Sequence, residues 1–155
     1  SGCDYDTDSG MPKMDIREEA FRSRMSGYGL FNEDYVFIGK SFSVSEGYRL
    51  AMEAMDRLKD GVPAAFCVGS DPFPIGALQA FNERGWAIPQ RVGFFSINDI
   101  GIAKYVSPPL TTFHIDVSLL CSSALQLLRE RVTMKRRVAK SVYINGEIVF
   151  RKSCL

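Results

Sequence analysis

Two stretches of the chain lose polar alternation altogether. Residues 64–68 (Ala-Ala-Phe-Cys-Val) and 92–97 (Val-Gly-Phe-Phe-Ser-Ile) are short apolar runs, the pattern of strands covered on both faces by helices rather than open to water. Residues 44–59 place Val44, Tyr48, Ala51, Met52, Met55 and Leu58 on one helical stripe. Ser43 with Glu46 three residues on has the spacing of a capping box, which predicts where that helix starts. Between the apolar runs, Asp71 stands as an N-cap with Pro72 at the first helical position, and Gly85 ends the helix. Strands alternating with helices predict an α/β fold, a parallel sheet flanked by helices with right-handed crossovers. Such sheets bind ligands beyond the carboxyl ends of their strands. The polar tips Gly69-Ser70-Asp71 and Asn98-Asp99 therefore mark the edge of a cleft.

The pattern continues on either side of this unit. Asp15 can cap a helix that turns Ile16, Ala20, Phe21 and Met25 toward the core, with Gly27 as its stop. Residues 35–39 (Tyr-Val-Phe-Ile-Gly) predict a short buried strand, and residues 100–105 a short helix capped by Asp99. Pro108-Pro109-Leu110-Thr111-Thr112 predicts an extended segment, followed by a helix over 117–132 with Leu120, Ala124, Leu127, Leu128 and Val132 at helical spacing. Asn145-Gly146 between the apolar residues 138–144 and 147–151 predicts a hairpin.

Composition narrows the chemistry. With 155 residues, 46% hydrophobic and 24% charged, the chain matches a soluble globular domain with enough apolar material for a core. Its 19 basic and 18 acidic residues leave a net charge of +1, so no broad positive field grips nucleic acid. The scattered cysteines Cys3, Cys67, Cys121 and Cys154, with one histidine, suggest neither a zinc site nor a disulfide framework and fit a reducing cytosol. No stretch reaches the roughly 20 apolar residues of a membrane span, and the first residues lack a basic-then-apolar export signal. No nucleophile motif such as GxSxG accompanies His114, and neither GxGxxG nor a Walker loop occurs. No catalytic residue, metal ligand or cofactor is expected.

Taken in order, Asp15-Ile16-Arg17-Glu18-Glu19-Ala20-Phe21, residues 65–71 with Ile75-Gly76-Ala77-Leu78, Gly85, Ile88-Pro89, Ser96-Ile97-Asn98-Asp99, Pro109-Leu110-Thr111-Thr112 and Arg151-Lys152-Ser153 make the chain resemble the effector-binding part of the LacI/GalR family of sugar-responsive regulators. The resemblance implies a periplasmic-binding-protein-like core of two lobes with the ligand between them. It implies that this chain is mainly the C-terminal lobe: residues 1–110 the lobe itself, 111–137 the crossover and the helix toward the other lobe, and 138–155 the return strands. The amino-terminal DNA-binding headpiece is absent from these residues.

The same resemblance assigns candidate ligand contacts. Arg17 matches an arginine that reaches into the cleft, where its forked donors suit adjacent sugar hydroxyls; by itself it reads as a helix arginine paired with Asp15 or Glu18. Phe42 stands where the family places a ring against the apolar face of a pyranose, and it also suits a hydrophobic staple before the Ser43 cap. Asn98 replaces the first acid of an Asp-Asp pair, keeping hydrogen-bond capacity while losing charge. Ser70 stands where the family often has asparagine, as a hydroxyl contact or a loop hydrogen bond. Tyr48, Met52, Ile75, Tyr105 and Val106 match surfaces through which family members form homodimers, while Tyr48 and Met52 also read as plain core.

These readings lead to a non-enzymatic cytoplasmic sensor. A small-molecule sugar, a β-galactoside or a relative of one, would favour one arrangement of the lobes and so control operator DNA binding through the headpiece. A periplasmic sugar-binding protein of a transport system shares the fold and is the alternative. An α/β enzyme acting on sugars would require an acid or base pair that His114 and the scattered acids do not assemble.

Overall fold

A computed structural model describes residues 4–5 and 12–154. The order is β1 (Asp4–Tyr5), β2 (Pro12–Lys13), α1 (Ile16–Gly27), α2 (Val44–Leu58), β3 (Ala65–Cys67), α3 (Pro72–Glu83), β4 (Gly93–Asn98), β5 (Thr111–His114), α4 (Val117–Thr133) and β6 (Glu147–Val149). β1 and β2 form a small antiparallel pair. The main sheet runs β3-β4-β5-β6. Its first three strands are parallel, with Phe66 opposite Phe94 and Ser96 opposite Thr112, and β6 closes it antiparallel with Ile148 opposite Phe113. The expected α/β architecture is therefore present, as a mixed sheet that is mostly parallel.

The four long predicted helices form, and side-chain caps from Asp15, Ser43 and Asp116 open α1, α2 and α4. The Ser43 hydroxyl accepts the Glu46 amide at 3.2 Å, opening α2. Glu46 reaches back past the cap to the Lys40 amide at 2.9 Å, so the reciprocal half of the capping box lands further upstream than the spacing predicts. α2 and α3 cover the sheet, burying Ala51, Met55, Leu78 and Phe81 against Val92, Phe94 and Leu110. Phe81 stands edge-on to both Trp86 and Phe94, each with ring centroids 5.4 Å apart, the geometry aromatic quadrupoles favour. Buried Ser153 ties the sheet at its centre: its hydroxyl donates to the Phe94 carbonyl and accepts the Thr111 amide, both at 2.7 Å.

Four expectations are corrected. Residues 35–39 form no ladder strand: Asn32 caps a 3-10 turn over Glu33–Tyr35, and only Gly39 makes an isolated bridge. Phe37 is engaged through its side chain, edge-on to Phe66 and under the Arg57 guanidinium at 4.1 Å. α1 forms but buries none of its side chains; Ile16 is 78% exposed and Ala20 and Phe21 are also exposed. Polar contacts hold it instead, with Arg22 gripping Glu33 and Arg17 reaching the Gly69 carbonyl. Residues 100–105 are successive turns rather than a helix. The Asn145-Gly146 hairpin is absent, because neither residue takes the positive φ that a type I′ turn requires. β6 pairs with β5, and a Cβ on Gly146 would stand 2.3 Å from the His114 carbonyl oxygen. That glycine serves close backbone approach.

α4 follows its predicted stripe, yet none of its side chains is buried: Leu120 and Leu128 are 49% and 59% exposed.

Candidate functional site

The carboxyl ends of β3 and β4 converge on the Gly69-Ser70-Asp71 loop, and the four predicted contact residues gather around it. Asp15 is only 3% exposed and accepts the Arg17 amide at 2.8 Å, starting α1. The same carboxylate holds the Arg17 side chain through Nε at 2.8 Å and through Nη2, in a forked pair. Arg17 Nη1 then donates to the Gly69 carbonyl at 2.6 Å, joining α1 to the β3–α3 loop. The hydrogen bond from Arg17, together with its charge, keeps the Asp15 carboxyl below the usual carboxylate range despite its burial.

Phe42 lies beside that guanidinium, 5.4 Å from the Arg17 carbon to the ring centroid. It also packs on Phe73 with centroids 5.4 Å apart, while 41% of the residue stays exposed. Part of the ring therefore stays accessible beside a cation, which suits a ligand with an apolar face. On the other flank, Asn98 Nδ2 donates to the Ser70 hydroxyl at 3.0 Å. Ser70 is buried and makes the loop hydrogen bond foreseen as one of its alternatives.

Asp71 departs from its predicted role. It precedes α3, but its side chain makes no cap hydrogen bond to that helix. Its fully buried carboxylate crosses the sheet instead, accepting the Thr112 hydroxyl and the Ile100 amide, each at 2.8 Å. Asp99, expected to cap residues 100–105, leaves that amide to Asp71 and turns to Arg151 at 2.7 Å and His114 at 3.1 Å. Burial acts to raise the Asp99 pKa, and the hydrogen bonds and charge of Arg151, with His114 behind, bring it below the ordinary value. Sequence reasoning assigned no role to Arg151 or Thr112. The available signal was their place in the motifs Pro109-Leu110-Thr111-Thr112 and Arg151-Lys152-Ser153 that carry the resemblance.

The predicted pairing residues are divided. Tyr48, Met52 and Val106 rest against the core, Ile75 is half-buried, and Tyr105 is 75% exposed. Tyr48 also donates to Glu83 at 2.6 Å. A groove of about 530 Å³ separates α1 from β3 and is lined by Arg17, Phe21, Phe31, Phe37, Ala65 and Gly69. Phe42, Ser70 and Asn98 lie outside it. Among the described residues, no group of three or more His, Cys, Asp or Glu side chains could hold a metal ion, and no helix is long and apolar enough to cross a membrane.

A family model described as a periplasmic binding protein-like domain matches residues 3–154. The HTH-type transcriptional regulator GanR of Bacillus subtilis (strain 168) is 53% identical over 141 residues, covering 91% of this chain and 43% of GanR. The chain thus spans less than half the length of that curated relative. The transcriptional regulator CelR in complex with cellobiose superposes with a TM-score of 0.80 at 23% identity, over 88% of this chain and 41% of that one. A LacI-family transcriptional regulator from Arthrobacter sp. FB24 in complex with lactose gives 0.81 at 16% identity, over 92% and 51%.

Proposed function

Because the chain belongs to the LacI/GalR family of periplasmic-binding-protein-like effector domains, we propose that it is the sugar-sensing and pairing region of a regulator that binds operator DNA. The observation that carries this reading is the convergence of Arg17, Phe42, Ser70 and Asn98 on one loop at the carboxyl ends of parallel strands. That edge is where open α/β sheets take ligands. The guanidinium of Arg17, the amide of Asn98 and the partly exposed ring of Phe42 match what a pyranose presents, hydroxyls and one apolar face.

The ligand we infer is a β-linked disaccharide, and specifically a β-galactoside. The fold neighbours bound to cellobiose and lactose support a disaccharide of this size. Binding between two lobes acts by differential affinity for two lobe arrangements. The near-neutral charge of these residues leaves DNA contact to a separate headpiece, and the regulator works in the cytoplasm, where the operator is. Two copies pair through the face that carries Tyr48, Met52, Ile75, Tyr105 and Val106.

Calorimetric titration of the intact protein with lactose and cellobiose tests the site. Arg17→Ala should weaken uptake of whichever sugar binds by about 30-fold or more, as expected when charge-assisted hydrogen bonds are lost. Unchanged affinity in that variant rules out this site, and turnover of either sugar would establish an enzyme instead.

A further inference from the structure

Asn98 has an unusual backbone conformation for its position. Its φ is 118°, and Asp99 follows at 54°. Side chains with a Cβ are disfavoured there, and two such residues in succession persist only where their surroundings leave them no alternative. The constraint converges on Asp71. Its amide donates to the Ile97 carbonyl at 3.2 Å. Its carboxylate accepts the Ile100 amide and the Thr112 hydroxyl, and the Thr112 oxygen in turn accepts the Asp99 amide at 3.3 Å. Backbone groups on both sides of Asn98 therefore end on Asp71, directly or through Thr112. Ser70, the preceding residue, receives the Asn98 side chain.

The donor and acceptor chemistry runs one way. A carboxylate only accepts, so both oxygens of Asp71 need donors. Thr112 has one hydroxyl proton, and giving it to Asp71 leaves its lone pairs for the Asp99 amide. The assembly is buried, Asp71 and Thr112 fully so, and an unmatched polar group there carries a large penalty. Neither side chain is among the residues gathered at the ligand edge.

We propose that Asp71 and Thr112 are positioning residues of the sugar site: they hold the left-handed backbone at Asn98 and Asp99 and thereby aim the Asn98 amide at the ligand. This inference rests on the sugar-binding reading above, and its test separates the two. In the intact protein without sugar, residue-resolved amide hydrogen exchange should speed up about tenfold at Asp99 and Ile100 in Thr112→Val, while Phe94 in the same sheet keeps its rate. Thr112→Ser retains the hydroxyl and should restore slow exchange. Asp71→Asn, which turns one acceptor into a donor, should move the same two amides in the same direction. In titrations with lactose, Thr112→Val should bind about tenfold more weakly and Thr112→Ser within about twofold of the parent. Equal acceleration at Phe94, or undiminished lactose affinity in Thr112→Val, overturns the proposal. A parent protein that takes up no sugar overturns the sugar reading and the ligand half of this one, and the exchange rates then decide the backbone half alone.

Discussion

Gly76 on α3 lies so close to Val44 on α2 that a Cβ on the glycine would stand 1.9 Å from the Val44 carbonyl oxygen. The approach is reciprocal, since a Cβ on Gly47 of α2 would stand 2.0 Å from the Phe73 carbonyl oxygen. The two helices touch backbone to backbone, and this brings Ala51, Met55, Leu78 and Phe81 into one core. It also seats Phe73 beneath Phe42. A contact remote from any ligand thus sets the floor of the candidate site.

Gly76→Ala should therefore destabilise the protein by about 3 kcal/mol in urea unfolding, because backbone oxygen cannot move aside as a side chain could. A loss under about 1 kcal/mol, within the range of ordinary surface substitutions, means the helices are further apart than described.

Asp15 links stability to pH. Its pKa is lowered from 3.8 in the folded state, so its contribution is present above that value and fades as pH falls from about 4 through the lower folded value. Unfolding free energies measured at neutral pH and at pH about 3 should show a fall for the parent that is smaller in Asp15→Asn. At neutral pH, Asp15→Ala should cost about 1 kcal/mol for the lost cap, with a further loss from releasing Arg17. A parent and Asp15→Asn with the same pH slope count against the pair.

Arg151 supports Asp99 and the sheet edge together. Its Nη1 lies 2.7 Å from Asp99 and donates to the Leu110 carbonyl at 2.8 Å, with both side chains less than a fifth exposed. Removing one member of a partly buried pair leaves the other charge stranded. Arg151→Ala should cost about 2 kcal/mol at pH 7 after allowing for partial solvation. It should also raise the Asp99 pKa, because burial then acts with less opposition, and carboxylate NMR titration reads that directly. An unmoved Asp99 titration contradicts the assignment.

Lysine in place of Arg17 separates charge from geometry. Arg17 joins Asp15 and the Gly69 carbonyl through different nitrogens of one planar group, a span that a single ammonium cannot reproduce. Arg17→Lys should lose about tenfold in lactose affinity while changing stability by less than about 1 kcal/mol. Full retention of affinity would show that charge alone suffices.

Local information settled much of this protein in advance. The stripe from Tyr48 to Leu58, the Ser43 cap and the unalternating run of β4 specify their elements without help, because caps and periodicity act between residues a few positions apart. The candidate contacts Arg17, Phe42, Ser70 and Asn98 were named through the order of motifs that resemble one family, and the fold brings them to one loop. Tertiary structure decided what those residues do. The Asp71-Pro72 pair reads as a helix start, yet the Asp71 carboxylate answers to Thr112, 41 positions away. Asn145-Gly146 reads as a turn, yet Gly146 is occupied by its approach to His114. Residues 35–39 have the composition of a strand, but Phe37 is satisfied by Phe66 and Arg57 through its ring. In each case a distant partner settles a polar or apolar group that a local rule would have settled otherwise. Only the assembled sheet brings that partner into reach, so periodicity gives the elements while long-range donors and acceptors choose their roles.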